Sequence, residues 1–133
     1  KSMKMSERLN LYKDRQRNNL SQNAYGAIVR LRMDNSHPLG FGYDKEYLSL
    51  KLRNRRYAYL ESGWNVGTTQ DSTSIVSGFV GFKAKQNFRE SLVFGVEEIG
   101  MGSVVYMVDN PLFRGFWYNG KLLFGNAVFL VGS

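Results

Sequence analysis

Ser103-Val104-Val105-Tyr106-Met107-Val108-Asp109-Asn110-Pro111-Leu112-Phe113-Arg114-Gly115-Phe116-Trp117-Tyr118-Asn119-Gly120-Lys121-Leu122-Leu123-Phe124-Gly125-Asn126-Ala127-Val128-Phe129-Leu130 is the stretch whose reading decides the fold. A short apolar run ends at Asp109-Asn110-Pro111. There proline forbids a continuing central strand and biases Asn110 toward an extended or turn conformation. An aromatic loop follows, then an apolar run of helical length, so the order predicts strand, loop and helix. In open α/β sheets ligands usually bind at the carboxyl ends of strands, which makes this loop the first place to look for chemistry.

Between Asp109 and Trp117 the loop offers one carboxylate, one guanidinium and three aromatic rings, with neither a nucleophile nor a histidine base. Nothing in it runs acyl transfer unaided, and no catalytic residue is assigned. Asp109, Asn110, Arg114 and Trp117 are the residues singled out as a structural or ligand-facing loop. The structural expectation is that Asp109 accepts hydrogen bonds from the following turn and pairs with Arg114, while Phe113, Phe116 and Trp117 fill the gap beneath.

With 133 residues, the chain is one domain at most. It has no cysteine, which removes disulfides, thiol nucleophiles and thiolate metal sites together. It shows no export signal of its own and no apolar stretch of about 18 residues, so no membrane span is expected. The net charge of +7 is uneven: residues 1–60 hold thirteen Lys or Arg against five Asp or Glu, and residues 61–133 hold five against six. Arg53-Asn54-Arg55-Arg56-Tyr57 invites a nucleic-acid reading, but no recognised binding signature accompanies it. A charge run of this kind is more often a solvated loop or a surface facing an acidic neighbouring domain, and no nucleic-acid partner is expected.

Residues 1–23 carry no clean apolar stripe and are read as a linker or the remnant of an upstream element, with a helical turn or two around Glu7 to Arg17. From Tyr25 to Met33, Ala27, Val29, Leu31 and Met33 alternate with other residues as one face of a strand. Tyr47 to Leu52 and Tyr57 to Leu60 are expected as strands, Gly63 to Ser74 as an exposed loop, and Gly78-Phe79-Val80 as the start of another short element. Lys83 to Leu92 is expected as a short helix with Phe88 inward. Leu92 to Val96 and Val104 to Val108 are expected as strands joined through Gly100-Met101-Gly102.

The single histidine, His37, precedes Pro38 at a strand end and has no second imidazole or thiolate to help it hold zinc. Glu97 and Glu98 are sequence neighbours on opposite faces of a strand. Gly100-Met101-Gly102 is followed by a strand and not by a helix N-terminus, which rejects a dinucleotide-binding turn.

Two segments together carry a resemblance: Gly26-Ala27-Ile28-Val29-Arg30-Leu31-Arg32-Met33-Asp34-Asn35-Ser36-His37-Pro38-Leu39-Gly40-Phe41-Gly42-Tyr43, and later Gly102 through Trp117. In order and spacing they resemble the C-terminal region of large bacterial zinc carboxypeptidases. There a peptidase domain similar to carboxypeptidase A is followed by a domain resembling class I glutamine amidotransferases, with a flavodoxin-like sheet. The resemblance implies a partial α/β fold: the strand-rich C-terminal part of such a domain, with short helices, over residues 24–133. The peptidase's His-x-x-Glu zinc motif, its catalytic glutamate and the amidotransferase cysteine have no counterparts here, so no catalytic residue is carried over.

By resemblance the chain is a non-catalytic C-terminal accessory domain of a hydrolase that removes C-terminal residues from peptides. The chain itself then holds no cofactor, and zinc sits in the parent's peptidase domain. The upstream peptidase domain is its partner, with self-association of the isolated chain as a substitute, and the location is periplasmic or secreted. The alternative is a stand-alone binding module whose basic front half and aromatic loop take an acidic or carbohydrate ligand.

Overall fold

A computed structural model describes residues 11–71 and 74–132. The expected helical turn around Glu7 to Arg17 lies partly outside these residues. Its described part is a single 3-10 turn, Tyr12–Asp14, leading into helix α1, Arg15–Gln22.

Six strands make one antiparallel sheet: β1 (Ala24–Met33), β2 (Glu46–Lys51), β3 (Trp64–Thr69), β4 (Ile75–Val80), β5 (Ser91–Ile99) and β6 (Gly102–Met107). Their order is β2-β1-β3-β5-β6, with β4 also paired to β1. One edge of β1 carries β2, from Ala27 opposite Lys51 to Arg32 opposite Glu46. The other edge is shared: β4 takes the Ala24 end and β3 takes Arg32 and Met33. A strand shared in this way curls the sheet around the side chains it encloses. Helix α2 (Phe82–Asn87) joins β4 to β5, and α3 (Asn119–Phe129) follows the loop after β6.

The alternation in β1 has its expected effect, since Ala27, Val29, Leu31 and Met33 are all buried. Ala24 is buried too, although it lies out of phase with Ala27. The phase change occurs at a bulge, where the register against β4 shifts between Tyr25 and Ile28 and Gly26 adopts φ 76°. Gly78 on β4 presses against it. A Cβ there would stand 2.3 Å from the Gly26 carbonyl oxygen, so the two strands approach this closely only because Gly78 has no side chain. The core also includes Leu39, Tyr47, Val66, Val80, Ala84, Phe88, Val93, Phe94, Val96 and Leu123.

The fold is therefore mixed α/β, strand-rich, with few and short helices. Every ladder in it is antiparallel, whereas a flavodoxin-like sheet is parallel and built from strand–helix–strand crossovers. Three local expectations also change. Tyr57 to Leu60 is not a strand; the Leu92 N–H donates to its Tyr57 carbonyl, and the Leu60 backbone bonds to the Asn65 side chain. The expected exposed loop from Gly63 contains the central strand β3, with Val66 and Thr69 fully buried. Its Gly, Asn and Thr residues look turn-like in isolation, but Gly67 lies flat against Phe94, where a Cβ would come within 2.6 Å of the ring. The helix expected from Lys83 to Leu92 stops at Asn87, because Ser91 already belongs to β5 and Glu90 turns the chain with φ 46°. Phe88 is inward as expected.

Candidate functional site

β6 ends at Met107, and Asp109 lies two residues beyond, where the loop folds back over β2. The side chains of β2 that point inward are Tyr47, Ser49 and Lys51, all buried, while Leu48 lies exposed on its other face and Leu52, just beyond the strand, is exposed as well. Polar groups inside and leucines outside invert the usual arrangement of a half-buried strand. The inversion is stable because Ser49 and Lys51 find partners. Lys51 Nζ donates to both oxygens of Asp109, at 3.2 and 3.4 Å, and Ser49 Oγ donates to Oδ2 at 2.8 Å. The side chains of Lys51 and Asp109 are 1% and 8% exposed, so this is a buried, hydrogen-bonded ion pair. The Lys51 ammonium also sits 5.4 Å from the centre of the Phe88 ring.

Asp109 thus pairs with Lys51 and not with Arg114, as the loop alone had suggested. Arg114 is exposed, adopts φ 50°, and lays its guanidinium 5.2 Å over the ring of its neighbour Phe113. Asn110 closes the turn, its Oδ1 accepting the Leu112 N–H at 2.9 Å. Phe113 and Phe116 pack edge to face at 5.7 Å. Trp117 is half-buried, and its indole N–H lies beneath the loop without a hydrogen-bond partner among the described residues, as does the Tyr47 hydroxyl. Burial pushes the Tyr47 phenol far above its ordinary range, and Tyr43 adds to the rise.

The helix that follows is tied to the other motif segment. Asn126, buried in α3, donates from Nδ2 to the carbonyls of Leu39 and Phe41 at 3.0 and 2.7 Å. The Tyr43 hydroxyl accepts the Leu123 N–H at 2.8 Å and donates to the Asn119 carbonyl. Burial raises the Tyr43 phenol and the Leu123 bond partly offsets it. His37 is tucked under its turn, Nδ1 accepting the Leu39 N–H at 3.0 Å. That leaves the ring proton on Nε2, and desolvation lowers the imidazole pKa.

Beside the loop a cavity of about 310 Å³ opens between Leu52, Arg53, Arg55, Val108, Asn110 and Phe113. Arg53 and Arg55 line it together with the Asp109 carboxylate, so it carries charge of both signs. Among the described residues no group of three or more His, Cys, Asp or Glu stands ready to hold a metal ion. No described helix is long and apolar enough to cross a membrane.

Lys51 and Ser49 are the site residues that sequence reasoning missed. Lys51 belongs to the basic front half, and the leucines alternating with Tyr47, Ser49 and Lys51 point to the opposite face as the buried one. The available signal was the strand-end carboxylate itself, which needs a cation from a facing strand when no nearby residue can supply one. Comparison with protein-family models, curated proteins and solved structures finds no match for this chain.

Proposed function

We propose that the chain is a non-catalytic accessory module attached to a zinc carboxypeptidase outside the cytoplasm, and that its work is packing and stability. The observation that supports this reading is the use made of the motif residues. Asp109, Asn110, Tyr43 and His37, which belong to the two segments carrying the resemblance, are all engaged in hydrogen bonds inside the chain. Such residues hold a shape and leave little free for chemistry. Zinc belongs to the parent's peptidase domain in this reading. The residues here do not suit that metal, because His37 already uses Nδ1 as an acceptor. The face offered to a neighbouring domain is the outer side of β2 and β4, where Leu48, Leu52 and Phe79 are exposed.

The test is the coding sequence upstream of Lys1, followed by assay of the longer protein. A His-x-x-Glu peptidase domain, with zinc-dependent release of C-terminal residues that survives Asp109→Asn while melting earlier, is the expected result. A single tightly held zinc on the isolated 133-residue chain, lost on His37→Ala, would overturn the proposal.

A further inference from the structure

At the far end of the sheet from the Lys51–Asp109 pair, a cleft of about 450 Å³ lies between the turn after β1, the starts of β3 and β6, the end of β5 and the turn following α3. Trp64 and Val96 are direct partners across β3 and β5, and Glu98 and Ser103 are direct partners across β5 and β6. Direct partners share a face, and Glu98 stands two residues beyond Val96, so the indole, the carboxylate and the hydroxyl come from one surface of three strands. Asp34 is fixed at the edge of this surface by its own backbone, the N–H donating to the Val66 carbonyl at 2.8 Å. His37 packs on Trp64 with ring centres 5.4 Å apart.

The charge of this cleft opposes that of the molecule. The chain carries a net charge of +7, yet the lining includes Asp34 and Glu98 and neither lysine nor arginine. Its one basic group is His37, whose Nδ1 is already an acceptor. The carboxyl pKa of Asp34 is held below its ordinary range, chiefly by the Ser36 hydroxyl, and the bonds from Ser36 Oγ and N–H both fall on Oδ1, at 2.6 and 3.1 Å. Trp64 is 43% exposed, a large aromatic surface left beside two carboxylates.

We propose that this cleft is a binding site for an organic cation, an ammonium or guanidinium group such as the side chain of a basic peptide residue. The cation sits against the indole of Trp64 and is neutralised by the carboxylates of Asp34 and Glu98, with the Ser103 hydroxyl accepting one of its N–H groups. Aromatic faces attract cations through the ring quadrupole, and flanking carboxylates add direct charge pairing. An anion is repelled by the same pair, and a neutral sugar gains only the stacking and hydrogen bonds.

The experiment is a titration of the isotopically labelled 133-residue chain, followed by two-dimensional nitrogen–proton NMR. N-acetyl-arginine amide is the probe, its neutral isostere N-acetyl-citrulline amide the control, and methyl β-glucoside the sugar arm. The expected result is a saturable shift of the Trp64 indole and Ser103 amide signals with a Kd on the order of 1 mM. Citrulline should give no saturation. Asp34→Asn and Glu98→Gln should each weaken binding by about twofold to fivefold while the rest of the spectrum stays folded. Agmatine binding as well as the arginine amide would mark a site for free amines, and agmatine binding more weakly a site for peptide side chains; both fit the proposal. No saturable shift with either cation, equal response to citrulline, tighter response to the glucoside, or wild-type affinity in both carboxylate variants would each overturn it.

Discussion

Lys51 Nζ lies 3.2 Å from Asp109 Oδ1, joining the last residue of β2 to the loop after β6 across 58 positions of sequence, with both side chains buried. Removing one member leaves a buried charge unpaired, which typically costs about 3 to 5 kcal/mol. Asp109→Ala and Lys51→Ala are therefore each expected to lower stability by that order, and the double variant by less than the sum. Urea unfolding of the four proteins measures the coupling. Arg114→Ala, on an exposed side chain, should stay within about 0.5 kcal/mol of wild type. Additive single effects would show that the two groups do not act as a pair.

Asn126 is expected to be the most sensitive polar residue of α3. Asn126→Ala leaves the carbonyls of Leu39 and Phe41 without their donor, at a cost of about 1 to 3 kcal/mol. Tyr43→Phe removes the neighbouring link to Leu123 and Asn119 and should cost about 1 kcal/mol. Thermal melts that leave either variant unchanged would refute the role of these bonds in seating the helix.

Gly120 marks where α3 touches the loop. A Cβ at this position would lie 1.9 Å from the Pro111 carbonyl oxygen, a backbone atom that cannot swing aside. Gly120→Ala, although it favours helix by intrinsic propensity, should destabilise by about 1 to 3 kcal/mol or more through overpacking. A gain in stability, read by the same melts, would mean that the loop yields freely.

His37 should make stability fall on mild acidification. Its pKa in the folded state is lowered from 6.5 by desolvation, so the unfolded chain binds the proton more readily. The contribution is complete above about pH 6.5 and is lost as pH falls through the lower folded value. His37→Asn keeps an acceptor for the Leu39 N–H but does not titrate. A plot of Tm against pH should be flatter for this variant between about pH 7 and 5, and parallel curves would rule His37 out as the source.

Much of the chain could be read from the sequence where burial and period agreed. β1 follows its alternation, the glycine-linked hairpin of β5 and β6 follows its turn chemistry, and α3 follows a long apolar run closed in by a proline-marked loop. Reading failed where tertiary contacts overrode local preference. β3 looks like a loop because its glycine and polar residues are suited to close packing against Phe94, which lies 27 positions away. The antiparallel sheet likewise depends on long-range pairing, and the partner of Asp109 could not be seen from its own loop. The exposed loop residues Arg114 and Phe116 drew attention by their chemistry, while Lys51 passed as one more surface cation.

The inverted faces of β2 carry a consequence for how faithfully the protein folds. Sliding this strand by one residue against β1 would turn Leu48, Leu50 and Leu52 inward and expel Tyr47, Ser49 and Lys51, an exchange that local hydrophobicity favours. What opposes it is Asp109, which would be stranded without a cation. The ion pair thus acts as a proofreading device for strand alignment, and its loss should produce a mispaired population as well as a weaker fold. In Asp109→Leu, contacts between Arg30 and Leu48 seen by NMR would give way in part to contacts of Arg30 with Tyr47 or Ser49, whereas a wholly native pattern would show that other contacts set the alignment.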